Sequence, residues 1–214
     1  EQARRQTPEG KKPRVERCYG EPEPETVKTR RVEKQMEISM PAFAIGLRCP
    51  DAGSGLDAMR TEFIGDLAGE ILIGESSPLY QKLYDENVID ADFSVGYERM
   101  KGMALLALTG DSEDVDRILR EVLQEAKRIS KAGVDRALLA RLKKSAMGRR
   151  LRDLDGFEGT CYRMCAYDFD GAEYLDYPDA FSSVTAEDVE QFIRENVQED
   201  RAFVSIIRPR DTKE

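Results

Sequence analysis

EFIGDLAGEILIGESSPLYQKLYDENVIDADFSVGYE, residues 62–98, decides the fold. It reads as a helix, a glycine break, a second helix and a strand. Phe63, Leu67, Glu70, Ile71 and Leu72 stand mostly at helical spacing, so one face is largely apolar. The run ends at Gly74, which can take the left-handed backbone of a helix C-terminus. Glu75-Ser-Ser-Pro78 restarts the chain with Ser76 or Ser77 as N-cap and Pro78 at the first helical position, where its missing N–H costs nothing. Leu79, Tyr80 and Leu83 carry the second helix inward. From Ala91 the period becomes two: Phe93, Val95 and Tyr97 alternate with Asp92, Ser94, Gly96 and Glu98, the pattern of a half-buried strand.

Upstream, TVKTRRVEKQMEIS at 26–39 is polar at nearly every second place, with Val27, Val32, Met36 and Ile38 as its apolar set, and predicts a strand. Met40-Pro41 breaks it. AFAIGLR at 42–48 is apolar enough for a central strand. After a loop from Cys49 to Gly55, Ser54 caps the long helix that enters the deciding stretch. Downstream, the turn signal at Met100-Lys-Gly102 leads into MALLAL at 103–108, which stops at Thr109-Gly110-Asp111 and completes a hairpin. Ser112 or Asp111 caps a helix to about Ala132 with the stripe Val115, Ile118, Leu119, Val122, Leu123, Ala126 and Ile129.

Gly133 ends that helix and Asp135 opens another, with Ala137, Leu138, Leu142 and Ala146 and a basic run of Lys143, Lys144, Arg149 and Arg150. The run reads as a solvated face; the functional alternative is a receptor for an acidic partner or a peptide C-terminus. FEGTCYRMCAYDF at 157–169 predicts a helix with its aromatic and sulfur side chains packed inward. After a loop or short helical segment at 174–184, Thr185-Ala-Glu-Asp188 is a capping signature opening a helix through Ile193. Residues 201–207 form the last strand, closed by Pro209. Strands and helices segregate in runs, so the expected class is α+β, a mostly antiparallel sheet with helices packed on one face.

The 214 residues suffice for a sizeable core, and 35% charged against 40% apolar residues is a globular balance. A net charge of −9 argues against nucleic acid as a partner, which needs a basic face. No apolar run is long enough to span a bilayer. Cys18, Cys49, Cys161 and Cys165 are too few and too scattered for a disulfide scaffold, which predicts a reducing, cytoplasmic setting. Cys161 and Cys165 lie one helical turn apart, yet tetrahedral zinc needs four ligands and the sequence contains no histidine. Residues 1–24, broken by Pro8, Gly10, Pro13, Gly20, Pro22 and Pro24, read as a linker, 25–209 as the folded domain and 210–214 as a tail. The start on Glu1 without Met predicts a fragment of a longer polypeptide or a processed chain.

The small-residue break followed by Ser77, Leu79, Tyr80, Leu83, Tyr84, Asp85 and Glu86 resembles the S-x-L-[FY]-x-x-L-R-E helix of the insulinase/pitrilysin-type zinc peptidases. Cys18-Tyr19-Gly20-Glu21-Pro22 is similar to the connecting segment that precedes their second half, and the order of elements over about 19–209 is that of a C-terminal, non-zinc half close to the processing-peptidase branch. The resemblance implies one half of a clamshell that closes over an N-terminal zinc-binding domain and a peptide substrate. That family's H-x-x-E-H motif holds zinc with two imidazoles and deprotonates water with the intervening carboxylate. A chain without histidine cannot carry it, so no cofactor is expected in this chain and zinc in the partner half. The same absence removes Ser-His and Cys-His dyads, and the sequence holds no P-loop, G-x-S-x-G or G-x-G-x-x-G.

The resemblance also implies an Arg and, seven residues on, a Tyr that reach the substrate carbonyl. Those positions hold Tyr84 and Ala91 here, so both supports are missing. Tyr80, Tyr84 and Tyr97 are the substrate-contact candidates, against the alternative that they simply pack. No catalytic or metal residue is assigned. Three functions remain open: a chamber-forming half of a zinc peptidase, inactive alone; a catalytically silent structural or peptide-binding subunit, with a dimer possible; and a regulatory interaction domain unrelated to proteolysis.

Overall fold

The computed structural model describes residues 26–210 apart from Lys101, so the expected linker, Cys18 and most of the tail lie outside the described residues. Its elements run β1 (Arg31–Met36), β2 (Ala42–Cys49), α1 (Gly55–Ile73), α2 (Pro78–Asp85), β3 (Ser94–Met100), β4 (Met103–Asp111), α3 (Val115–Ala132), α4 (Arg136–Asp153) and α5 (Phe157–Asp170). A 3-10 turn at Tyr174–Asp176 then leads to α6 (Tyr177–Ser182) and α7 (Ala186–Asn196), and a second turn at Glu199–Arg201 leads to β5 (Ala202–Pro209). The strands form one sheet in the order β1-β5-β2-β4-β3, with β1 parallel to β5 and every other pair antiparallel.

Strand alternation sorts the sheet into two faces. Phe43, Ile45, Leu47, Tyr97, Leu106, Leu108, Val204 and Ile206 are buried and form the core with the helices. The alternate residues Ala42, Ala44, Leu105, Ala107, Ser205 and Ile207 are half-buried or exposed. The fold is α+β with the helices on one face, as expected. α1 is apolar almost all round, which suits a helix buried between sheet and outer helices; Met59, Leu67, Leu72 and Ile73 have almost no exposure.

Several local expectations are corrected. The first strand is only six residues long, and Val32 and Met36 are exposed on it, because β1 is an edge strand paired on one side alone. β4 runs on through Thr109 to Asp111, since β2 supplies partners as far as Ala42. α3 is capped by Asp114, which accepts from the Arg117 amide; Ser112 instead donates to the Val88 carbonyl. Ser54 holds the N-cap position of α1 without a side-chain cap bond. Gly74 is extended (φ −70°, ψ 163°), not left-handed. A side chain there would meet the Glu70 backbone at 2.7 Å, so close approach and not a positive φ requires glycine. Ala137 is exposed. The largest correction is α5, whose aromatic and sulfur side chains face out: Phe157 is 83% and Phe169 88% exposed, and only Tyr167 is buried.

Candidate functional site

The deciding stretch builds a groove along the open edge of β3. Gly65 and Gly69 stand one turn apart on α1, and a methyl at Gly65 would lie 2.5 Å from the Tyr97 ring and at Gly69 2.9 Å from Val95. Two bare positions thus let the helix lie directly against the strand. Asp66 between them accepts a 3.1 Å hydrogen bond from the Tyr97 amide. That amide therefore points away from β4, and in an antiparallel ladder Val95, two residues earlier, also turns its N–H and C=O to the open edge. α4 supplies the opposite wall. Between them lies a cavity of about 520 Å³ lined by Phe63, Asp66, Leu142, Arg149, Arg150 and Phe181. It meets a second cavity of about 500 Å³, lined by Gly74, Ser76, Tyr80, Phe93 and Arg141, through the shared Glu70, Val95, Leu142 and Arg149.

The two walls carry opposite charge. Burial pushes the Asp66 carboxyl up to about 6; the Tyr97 amide opposes this, Glu62 adds to it and Arg150 offsets part of it. Glu70 is raised for the same first reason, with Arg149 opposing. Arg150 is turned inward: its guanidinium lies 5.6 Å over the Phe63 ring and 3.7 Å from Glu62. Glu62 is a hub that also accepts from Tyr167 Oη at 2.9 Å and Arg99 Nε at 3.3 Å, while Arg99 reaches Asp170 at 2.6 Å. The reading of the basic run as a solvated face is corrected for two members, Arg150 and Lys143. Lys143 Nζ donates to the Val184 and Ser182 carbonyls at 2.6 and 3.1 Å. Lys144 and Arg149 remain exposed.

The three tyrosines do not converge. Tyr80 is buried, lines the second cavity, and stacks on the half-exposed Tyr84 with ring centroids 5.9 Å apart. Tyr97 lies in the core, edge-on to Phe192 at 5.7 Å, and its hydroxyl has no partner among the described residues. Burial raises its pKa well above the ordinary phenol. Of the groove residues, Arg149 and Arg150 belong to the basic run whose functional alternative is a receptor for an acidic partner or a peptide C-terminus, whereas Asp66 and Glu70 carry no site assignment from the sequence; the Gly65-Asp66-x-x-Gly69 spacing is the available signal for them. No group of three potential metal ligands occurs among the described residues. The groove offers backbone edge, apolar wall and paired charges, a set suited to holding an extended chain.

The family model described as the peptidase M16 inactive domain matches residues 6–146, well over half of the chain. The curated protein "Uncharacterized zinc protease YmfH" of Bacillus subtilis (strain 168) is 27% identical over 193 residues, covering 88% of this chain and 44% of that protein. An M16-like peptidase structure from Alicyclobacillus acidocaldarius superposes with a TM-score of 0.82 at 23% identity, over 88% of this chain and 45% of that one. The inactive peptidase domain from Bordetella parapertussis gives 0.68 at 16% identity, over 85% and 97%. The chain thus spans less than half of the first two and nearly the whole of the third.

Proposed function

The chain belongs to the peptidase M16 inactive-domain family, and from that premise we propose that it is the zinc-less C-terminal half of a zinc peptidase, closing a peptide chamber over an N-terminal zinc-binding half. The single observation that carries this is the pairing of the family match with a sequence that has no histidine. The chemistry, metal-assisted hydrolysis with a zinc-bound water, belongs to the other half. This chain supplies the β3-edge groove, with Tyr80 in its lining as the aromatic contact offered to the peptide, Tyr84 stacked on Tyr80 at its margin, and Tyr97 holding β3 from beneath. Family membership sets aside the regulatory domain unrelated to proteolysis. A catalytically silent structural or peptide-binding subunit is the second reading, favoured by Tyr84 and Ala91 standing where the Arg and Tyr supports are expected. No described helix is long and apolar enough to cross a membrane, and a cytoplasmic setting is part of the proposal.

The test is an assay of the purified 214-residue chain against a mixed peptide library, with metal analysis. The expected result is no hydrolysis and no stoichiometric zinc. Turnover that survives stringent purification and is lost to a chelator would overturn it.

A further inference from the structure

Helix α5 is built inside out. Its inward stripe, at i, i+3, i+7 and i+10, is Thr160, Arg163, Tyr167 and Asp170, and each makes a polar contact: Thr160 Oγ1 with the Asp153 carbonyl at 3.2 Å, Arg163 with Asp153 at 2.9 Å, Tyr167 with Glu62 and Asp170 with Arg99. The outward arc carries Phe157, Cys161, Tyr162, Met164, Cys165 and Phe169, all exposed. Leu151 and Leu175, more than half exposed, flank it in sequence. A soluble helix ordinarily shows the reverse pattern, and an exposed, largely apolar arc of this size marks a contact surface.

Two observations select the occupant. The chain spans 44% of YmfH and 45% of the Alicyclobacillus structure, so in such relatives more than half of the protein lies beyond the part this chain matches, enough to cover the arc. The arc's only charges are Glu158 and Asp168, and the one cation of α5, Arg163, is turned inward to Asp153. Two copies meeting face to face would set acid against acid, since a two-fold contact pairs a patch with itself. We propose that the outward face of α5 is the surface on which the zinc-binding half docks, through an apolar patch rimmed by Lys or Arg. The proposal rests on the reading of this chain as one half of a two-half peptidase.

Cys161 and Cys165 report on this face directly. Iodoacetamide labelling followed by peptide mass spectrometry compares this chain alone with the chain joined to, or mixed with, the zinc-binding half. Cys49 is the internal reference: it is buried, and burial pushes its thiol up to about 12. The expected result is rapid labelling of Cys161 and Cys165 in the chain alone and protection of at least about tenfold with the zinc half present. The double variant Phe157→Ser, Phe169→Ser alters only solvent-facing rings, so it should keep the thermal midpoint of the chain and weaken docking by about tenfold or more. Equal labelling with and without the zinc half, or unchanged docking of the double variant, overturns the proposal. So does protection of the chain alone that grows with its concentration, which would identify a second copy. Protection in an assembly that hydrolyses nothing would leave the docking surface standing and remove the peptidase reading; hydrolysis with both thiols exposed would do the opposite.

Discussion

Replacing Asp66 by Asn should stabilise the protein at neutral pH, although it alters a residue that makes a specific hydrogen bond. The Asp66 carboxyl accepts from the Tyr97 amide at 3.1 Å, and burial raises its pKa from 3.8 to about 6. Between pH 3.8 and about 6 the folded state therefore holds a proton that the unfolded chain has already released. For a raised carboxyl the penalty is absent below the unfolded pKa, grows between 3.8 and about 6, and is complete above that. At about 1.36 kcal/mol per pH unit the displacement caps the cost near 3 kcal/mol, and solvent access to the groove brings the expected value to about 1–2 kcal/mol. Asn retains the acceptor for Tyr97 and nearly the same shape. Urea unfolding of both proteins at about pH 7.5 and about pH 4 measures the difference. The variant should be more stable at the higher pH, and the gap should close at the lower one. A variant less stable by more than about 1 kcal/mol at pH 7.5 would refute the reasoning, since it would mean that the Tyr97 amide and Arg150 together outweigh the burial penalty on the ionised form.

Gly65→Ala places a methyl 2.5 Å from the Tyr97 ring and 2.8 Å from its Cβ, so α1 must lift from β3; a loss of about 1–3 kcal/mol in chemical denaturation is expected, and a neutral result would contradict the close approach. Ser77→Ala removes the cap that accepts from the Tyr80 amide at 3.1 Å, with Ser77 fully buried; about 1–2 kcal/mol should be lost, and Ser77→Asp should recover less than a solvent-facing cap would.

Much of the architecture is legible wherever one face of an element meets the core and the other meets water. The α3 stripe, the Phe93-Val95-Tyr97 alternation and the Ser77-Pro78 start of α2 belong to this group, as does the Thr185–Asp188 capping box, which forms with both of its bonds. Ends that depend on a neighbour's length were not legible: β4 continues through Thr109 and Gly110 because β2 is there to pair with them. α5 departs from expectation for a different reason. Its apolar residues outnumber its polar ones, and composition assigns them to the core, yet Tyr167, Arg163 and Asp170 find partners in Glu62, Asp153 and Arg99 that are distant or out of register in the sequence. The groove was hidden likewise. Asp66 and Glu70 look like ordinary helix-surface acids until the approach allowed by Gly65 and Gly69 buries them beside Val95 and beneath α4.

The most direct measurement is peptide hydrolysis with zinc stoichiometry by the zinc-binding half alone, by this chain alone, and by the two together. The account predicts about one zinc in the zinc half, none in this chain, and a kcat/KM that rises on combination, because this half completes the chamber that excludes water and holds the peptide. Full activity of the zinc half by itself, unchanged when this chain is added, would contradict it.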